Sequence, residues 1–170
     1  MSDAIRHAIE SASAYLRDHP EEARYTDSVA TASLAGGLRF DVRGVAGESV
    51  TTDMPASVGG EASAPSPGWL LRAAHASCIG TLIAMHAAQE AIELDRVEVT
   101  VDSESDDRGI LGLETGAAAG PLHSAVRVSI ASTTADDAAL RELVDWAVDH
   151  CPVHDAMRRA VPVHVEVQIR

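Results

Sequence analysis

The chain predicts an α+β fold in a single domain, and three features of its 170 residues carry that expectation. Residues 67–91 form a long apolar stretch that reads as a helix enclosed by protein. Residues 97–102, 125–130 and 163–169 alternate apolar and polar side chains with the period of a half-buried strand. Between 25 and 52, short β-type runs are separated by glycine turns. The order is therefore helix, three strands, long helix, two strands, helix, strand, with no internal repeat and no low-complexity tail.

The first helix is predicted over residues 3–17, where Ile5, Ile9, Ala12 and Leu16 recur at helical spacing before Asp18-His19-Pro20 ends the pattern. Three antiparallel strands follow at 28–32, 38–43 and 49–52, turned by Gly36-Gly37 and Ala46-Gly47. Residues 54–67 are rich in small residues, glycine and proline, a loop long enough to take part in a site. Ser66-Pro67 supplies a cap and a proline at the first helical position, so the long helix starts there. Its Arg72, His75, His86, Gln89 and Glu90 interrupt the apolar surface too often for a membrane span. Strands are expected at 97–102 and 125–130, with a loop opening at Asp106-Asp107-Arg108-Gly109. Asp136 or Asp137 begins a second long helix in which Leu140, Leu143, Val144, Ala147, Val148 and Cys151 share a face, and Pro152 is expected to end it. The last segment, Val163 to Ile169, reads as a strong strand.

Composition limits the functional classes. With 46% hydrophobic residues the chain can bury a core within one domain. A formal charge of -13 argues against nucleic-acid or anionic-membrane partners, because a phosphate backbone would be repelled. All thirteen basic residues are arginine, which points to coding bias rather than to a functional choice. The N-terminus shows no apolar signal segment, so a cytoplasmic location is expected. In that compartment the two cysteines, Cys78 and Cys151, are expected to be redox-active rather than a permanent staple. Distant in sequence and both on apolar stretches, they suit a peroxide-reacting thiol and its resolving partner.

Gly59-Gly60, Pro65-Ser66-Pro67-Gly68-Trp69-Leu70-Leu71, Ala73-Ala74-His75-Ala76-Ser77-Cys78 and Cys151-Pro152-Val153 before a valine-rich last strand together resemble the OsmC/Ohr family of osmotically inducible and organic-hydroperoxide-resistance proteins. The resemblance runs in order over residues 27–169. It sets a family core at 25–170 apart from an N-terminal helical extension at 1–22, and the Gly-Leu-Arg-Phe and Ser-Asp-Asp-Arg-Gly segments resemble an OsmC-like branch. It implies an OsmC-like fold, antiparallel sheets around a long central helix, in an intertwined homodimer with sites at the subunit interface.

The chemistry implied by the resemblance is reduction of an organic hydroperoxide at Cys78, resolution by Cys151 as a disulfide, and recycling by an external dithiol, with no cofactor or metal. Attack requires thiolate, and an ordinary thiol is only a few per cent ionised at neutral pH. Cys78 lies about three turns into its helix, beyond useful reach of the helix dipole, so an arginine is the expected activator. Arg39 is the first candidate and Arg43 the second. The glutamate that follows the loop proline in the Ohr branch is Gly68 here, and Glu61 is the candidate replacement. Arg72 lies on another helix face from Cys78 and is expected to be a surface or dimer-contact charge. His75, one turn before Cys78, is expected to be a packed, hydrogen-bonded histidine, with proton transfer to Cys78 the alternative. Trp69 and Trp146 are expected in the core or at an interface. Two other readings stand beside peroxidase chemistry: a non-catalytic module that holds a small apolar ligand, and a Cys2His2 metal site built from His75, Cys78, Cys151 and His154.

Overall fold

The computed structural model describes residues 2–114 and 116–169. Five helices and five strands follow one another as α1 (Ser2–Asp18), β1 (Ala30–Gly36), β2 (Arg39–Gly44), β3 (Ser49–Thr52), α2 (Pro67–Gln89), β4 (Arg96–Glu104), α3 (Asp107–Ile110), β5 (His123–Ala131), α4 (Asp137–Asp149) and α5 (Pro152–Arg158). The class is the α+β one expected, with antiparallel sheets. The chain divides into two compact units, one made of residues 1–6, 75–101 and 125–170, the other of 7–74 and 102–124. Among the described residues no helix is long and apolar enough to cross a membrane.

In the first unit α2 lives up to its composition. Ile79 and Ile83 are completely buried and pack with Ala147 of α4 and with Cys151. Val97 and Val99 of β4, with Val126, Val128 and Ile130 of β5, close over that cluster from alternate strand positions. A second cluster joins Ala87 to Leu140 and Leu143. Backbone bonds from Asp95 N to Ala131 O at one end, and from Leu122 N to Glu104 O at the other, bracket the β4–β5 pair and fix its antiparallel sense. Asp136 caps α4 by accepting from Ala139 N at 2.9 Å. Trp146 is held flat between His86 and His150, with ring centroids 4.1 Å away on each side.

In the second unit β1, β2 and β3 form a meander in that spatial order. The register sets Leu34 opposite Phe40 and Ala32 opposite Val42, with Val42 opposite Val50 in turn. The loop after β3 is organised by one buried carboxylate. Asp53, 2% exposed, accepts from Met54 N through Oδ1 and from Glu61 N, Ser63 N and Ser63 Oγ through Oδ2. The folded loop requires Gly60, because a Cβ there would lie 1.9 Å from Met54 O. Arg72 donates to Ser103 Oγ at 3.2 Å, so this half-buried arginine ties α2 to β4 within the unit.

Three expectations are corrected. Pro152 does not end the second long helix: α4 stops at Asp149, and Pro152 opens α5 with Cys151 as its cap in extended conformation. A proline pushes the preceding residue out of helical space and fits the first helical position, so Pro152 keeps Cys151 extended and starts α5. The segment at Asp106–Gly109 is a one-turn helix capped by Asp106 rather than an open loop. Residues 163–169 form no strand, and Val163, Val165, Val167 and Ile169 are 75–92% exposed. Alternation shows that a segment suits a sheet, but a strand forms only where an edge is offered to it.

The bonds to Asp53 hold its carboxyl below the usual carboxylate range, the Ser63 contacts contributing most. A depressed folded pKa adds stability above the unfolded value of about 3.9 and loses it as pH falls through the folded value. Asp53→Asn is therefore expected to melt earlier than wild type at neutral pH and to become cleavable in the 54–63 loop. The gap should narrow as the pH of thermal melts is lowered from about 4.

Candidate functional site

Two cysteines meet in the first unit because α2 packs against the end of α4. Cys78, next to the buried Ile79, is half-buried and lies against the cluster that contains Cys151, which is 0% exposed. Both are free thiols, and they pack in the same cluster.

The first turn of α5 supplies a donor to the buried sulfur. His154 N donates to Cys151 Sγ at 3.4 Å. Burial first, and the neighbouring Cys151 thiol second, push the Cys78 thiol above its ordinary range, while the Val153 N–H pulls it down. Helix α5 exposes these amides because Pro152 occupies the position whose N–H would otherwise lack a partner.

A histidine pair lies beside the thiols. His75, 2% exposed, places Nε2 3.1 Å from Nδ1 of His154, and its own Nδ1 has no hydrogen-bond partner. Burial, then His154, hold His75 below the usual histidine range, which keeps it neutral. The expectation of a packed, hydrogen-bonded histidine is met, and the partner is the one the sequence reading overlooked. The signal was present in Cys151-x-x-His154, which was weighed only as half of a metal site. Among the described residues no group of three or more ligands is placed to hold an ion.

Arg39, the candidate activator, belongs to the second unit, where it lines a polar cavity of about 350 Å³ with Asp53, Glu61 and the glycines at 36, 37, 59 and 60. Arg39 and Glu61, named separately from the sequence, thus share one cavity. Arg43, the second candidate, lines a different one with Asp41. A Cβ at Gly68 would meet nothing nearer than 3.9 Å, so position 68 has room for a side chain. Trp69 is 50% exposed rather than in the core. A groove of about 650 Å³ runs between β5 and α4 in the first unit, with Val126, Val128, Ile130, Leu140, Val144 and Val148 on its apolar side and Asp137, Arg141, Asp145 and His154 also on its lining.

The fold agrees with the comparisons. The model of the OsmC-like protein family matches residues 60–166, a span that contains both cysteines and both histidines. The chain belongs to the OsmC-like family. Among solved structures it is similar to an organic hydroperoxide resistance protein OsmC of Legionella pneumophila, at 26% identity over 79% of this chain and 91% of that one, with a TM-score of 0.61. The organic hydroperoxide resistance protein OhrB of Bacillus subtilis shares 24% identity over 84% of this chain and 98% of its own, with a TM-score of 0.52. An OsmC-like protein of Mycoplasma pneumoniae shares the fold at a TM-score of 0.64 and 16% identity, over 81% of this chain and 90% of that one. No curated protein sequence matches the chain significantly.

Exposure and environment predict an order of thiol reactivity. Iodoacetamide added to the reduced native protein should alkylate Cys78 well before Cys151, which should react only on unfolding. The Cys78 rate should still be climbing above pH ~8.5, the midpoint of an ordinary thiol. Peptide mass analysis at intervals reads both, and equal labelling of the two cysteines would contradict the burial assigned to Cys151.

Proposed function

We propose that this OsmC-like protein is a thiol-dependent peroxidase that reduces organic hydroperoxides in oxidative stress defence. The observation that carries the reading is the packing of half-buried Cys78 against the cluster that contains the buried Cys151, both of them free thiols. In the proposed cycle the Cys78 thiolate attacks the distal peroxide oxygen. The O–O bond breaks, the alkoxide takes a proton and leaves as alcohol, and Cys78 becomes a sulfenic acid. Cys151 then attacks the Cys78 sulfur. A disulfide forms, and hydroxide leaves with the Cys151 proton as water. An external dithiol reduces the disulfide by exchange and is itself oxidised, which returns both thiols. The reducing cytoplasm is the proposed setting, because such reductants are held there.

Activation of Cys78 is proposed for Arg39, with Glu61 in the place of the carboxylate absent at Gly68. Their shared cavity supports the pairing of that guanidinium with Glu61. A second reading, a non-catalytic module for a small apolar ligand, draws support from the groove between β5 and α4. One experiment separates the two. Reduced protein mixed with cumene hydroperoxide should lose both thiols and form the Cys78–Cys151 disulfide. Cys151→Ser should stop at a sulfenic acid that dimedone traps, and Arg39→Ala should slow the first step. Thiol loss no faster than that of free cysteine, with a saturable apolar ligand still bound, would replace the peroxidase by the binding module.

The functional molecule is proposed to be a homodimer. One face of the β1–β2–β3 sheet presents Leu34, Phe40 and Val50 to solvent at 37–64% exposure, and the alternating segment 163–169 is unpaired. An apolar face and an unpartnered strand sequence on one chain are complementary to what a second copy supplies. Light scattering during gel filtration should give twice the chain mass for the intact protein. A chain truncated after Val161 should run as monomer or aggregate, and an unchanged dimer after truncation would remove the C-terminal segment from the interface.

A further inference from the structure

One hydrogen bond, between His75 Nε2 and His154 Nδ1 at 3.1 Å, joins the buried ring of α2 to α5. Two neutral imidazoles hold two protons on four nitrogens, and the bond between them uses one proton and one lone pair. His75 Nδ1 is buried without a partner, and an orphaned N–H there is worse than an orphaned lone pair. His75 therefore donates through Nε2–H, and His154 carries its own proton on Nε2.

A third proton does not fit this arrangement. The two facing nitrogens share a single proton, so both outer nitrogens would then be protonated, and one of them is the buried His75 Nδ1. A fourth proton puts a hydrogen on each facing nitrogen and breaks the bond. A protonated His154 escapes both conflicts by turning away from His75. Its surroundings accept that release. His154 is half-buried on the groove between β5 and α4, where α4 presents Asp137, Arg141 and Asp145, while β5 presents Val126, Val128 and Ile130. Two carboxylates against one guanidinium leave that wall acidic. On α5 itself Asp155 is paired with Arg159 at 2.6 Å, and Arg158 lies one turn after His154. Within one turn of His75 on α2, Arg72 is bonded to Ser103 Oγ and Cys78 is a free thiol. Burial, then His154, hold His75 below the usual histidine range, so stability gained from its neutral form is full above about 6.5 and declines as pH falls towards the folded value.

We propose that the His75–His154 bond is an acid-sensitive latch of the dithiol site, holding α5 over Cys151 in neutral solution and releasing it when His154 is protonated. Helix α5 suits such a device, being seven residues long with no fully buried side chain. Val153, packed against the Ile79 cluster, and the bond from His154 N to Cys151 Sγ are what the latch keeps in place. That the latch governs peroxide chemistry rests on the reading of Cys78 and Cys151 as working thiols.

Hydrogen exchange read by mass spectrometry on the reduced, full-length protein tests the latch, with labelling times scaled for the slower intrinsic exchange in acid. The amides to follow are those of His154, Asp155 and Arg159, bonded to Cys151 Sγ, Cys151 O and Asp155 O. From about pH 7.5 to about pH 5, wild-type residues 152–159 should lose protection by about tenfold relative to α4, the factor that one proton taken up over one pH unit gives. His154→Asn sets an oxygen where Nδ1 stood and does not titrate in this range, so its α5 should stay protected at both values. His75→Leu should be unprotected at both. Thermal melts establish that each variant is folded, and the contrast between wild type and His154→Asn decides the matter if His75→Leu is not. Equal wild-type protection at the two pH values, or the same acid loss in His154→Asn, would overturn the latch. Exchange needs no peroxide, so acid loss in a protein that fails to reduce cumene hydroperoxide would uphold the latch while removing the peroxidase reading.

Discussion

The structure depends most on the packing of α2 against the end of α4. Ile79 and Ile83 are the large side chains of that contact, and Ala147 and Cys151 are the small ones that admit them. Each buried isoleucine contributes about 1.5–3 kcal/mol relative to exposure. The same contact determines the chemistry available. Cys78 is the residue before Ile79, so once Ile79 is seated the Cys78 thiol has little freedom in where it points. Cys151 is itself a member of the cluster, and Pro152 turns the chain immediately after it. The thiols meet as a by-product of core packing, with no bridge needed to bring them together.

What could be read from the sequence follows from how local each signal is. The α2 boundary at Pro67 was legible because Ser66-Pro67 is a local start signal, and Ser66 Oγ does accept from Trp69 N. The β4 and β5 spans were legible because period-2 alternation reports which face meets the core, and Val97, Val99, Val126, Val128 and Ile130 are the residues that do. The same alternation misled at residues 163–169, since it reports fitness for a sheet and says nothing about which edge is available. Pro152 was misread for a related reason: a proline is compatible with both a helix end and a helix start, and only tertiary packing chooses. The Asp53 ladder was illegible because its four bonds come from residues 54, 61 and 63, whose amides converge only after Gly60 allows the loop to close. His154 was seen and assigned to the wrong chemistry, because a spacing shows that two side chains can meet without showing whether they share an ion or a proton.

The electrostatics of the dithiol explain why a peroxidase on this plan would need more than its cysteines. Burial and the Cys151 thiol both favour the neutral form of Cys78, and one backbone amide opposes them. The dipole of α2 adds little three turns from its start. A thiol in that balance is protected from adventitious oxidation, which scales with thiolate character and access. Turning it into a nucleophile takes a positive charge, and the imidazoles beside the thiols, His75 and His154, face each other. Their geometry opposes that use: a proton added to His75 would have to remain on a buried ring, next to a second imidazole that lies within 3.1 Å. The proposed peroxidase therefore draws its charge from an arginine. Gly68 has no side chain with which to orient one. Glu61 is the proposed carboxylate, on a loop fixed to Asp53 through the Glu61 backbone N–H, at 3.2 Å. A carboxylate on an unanchored loop would hold a guanidinium weakly, since each encounter would have to order the loop again.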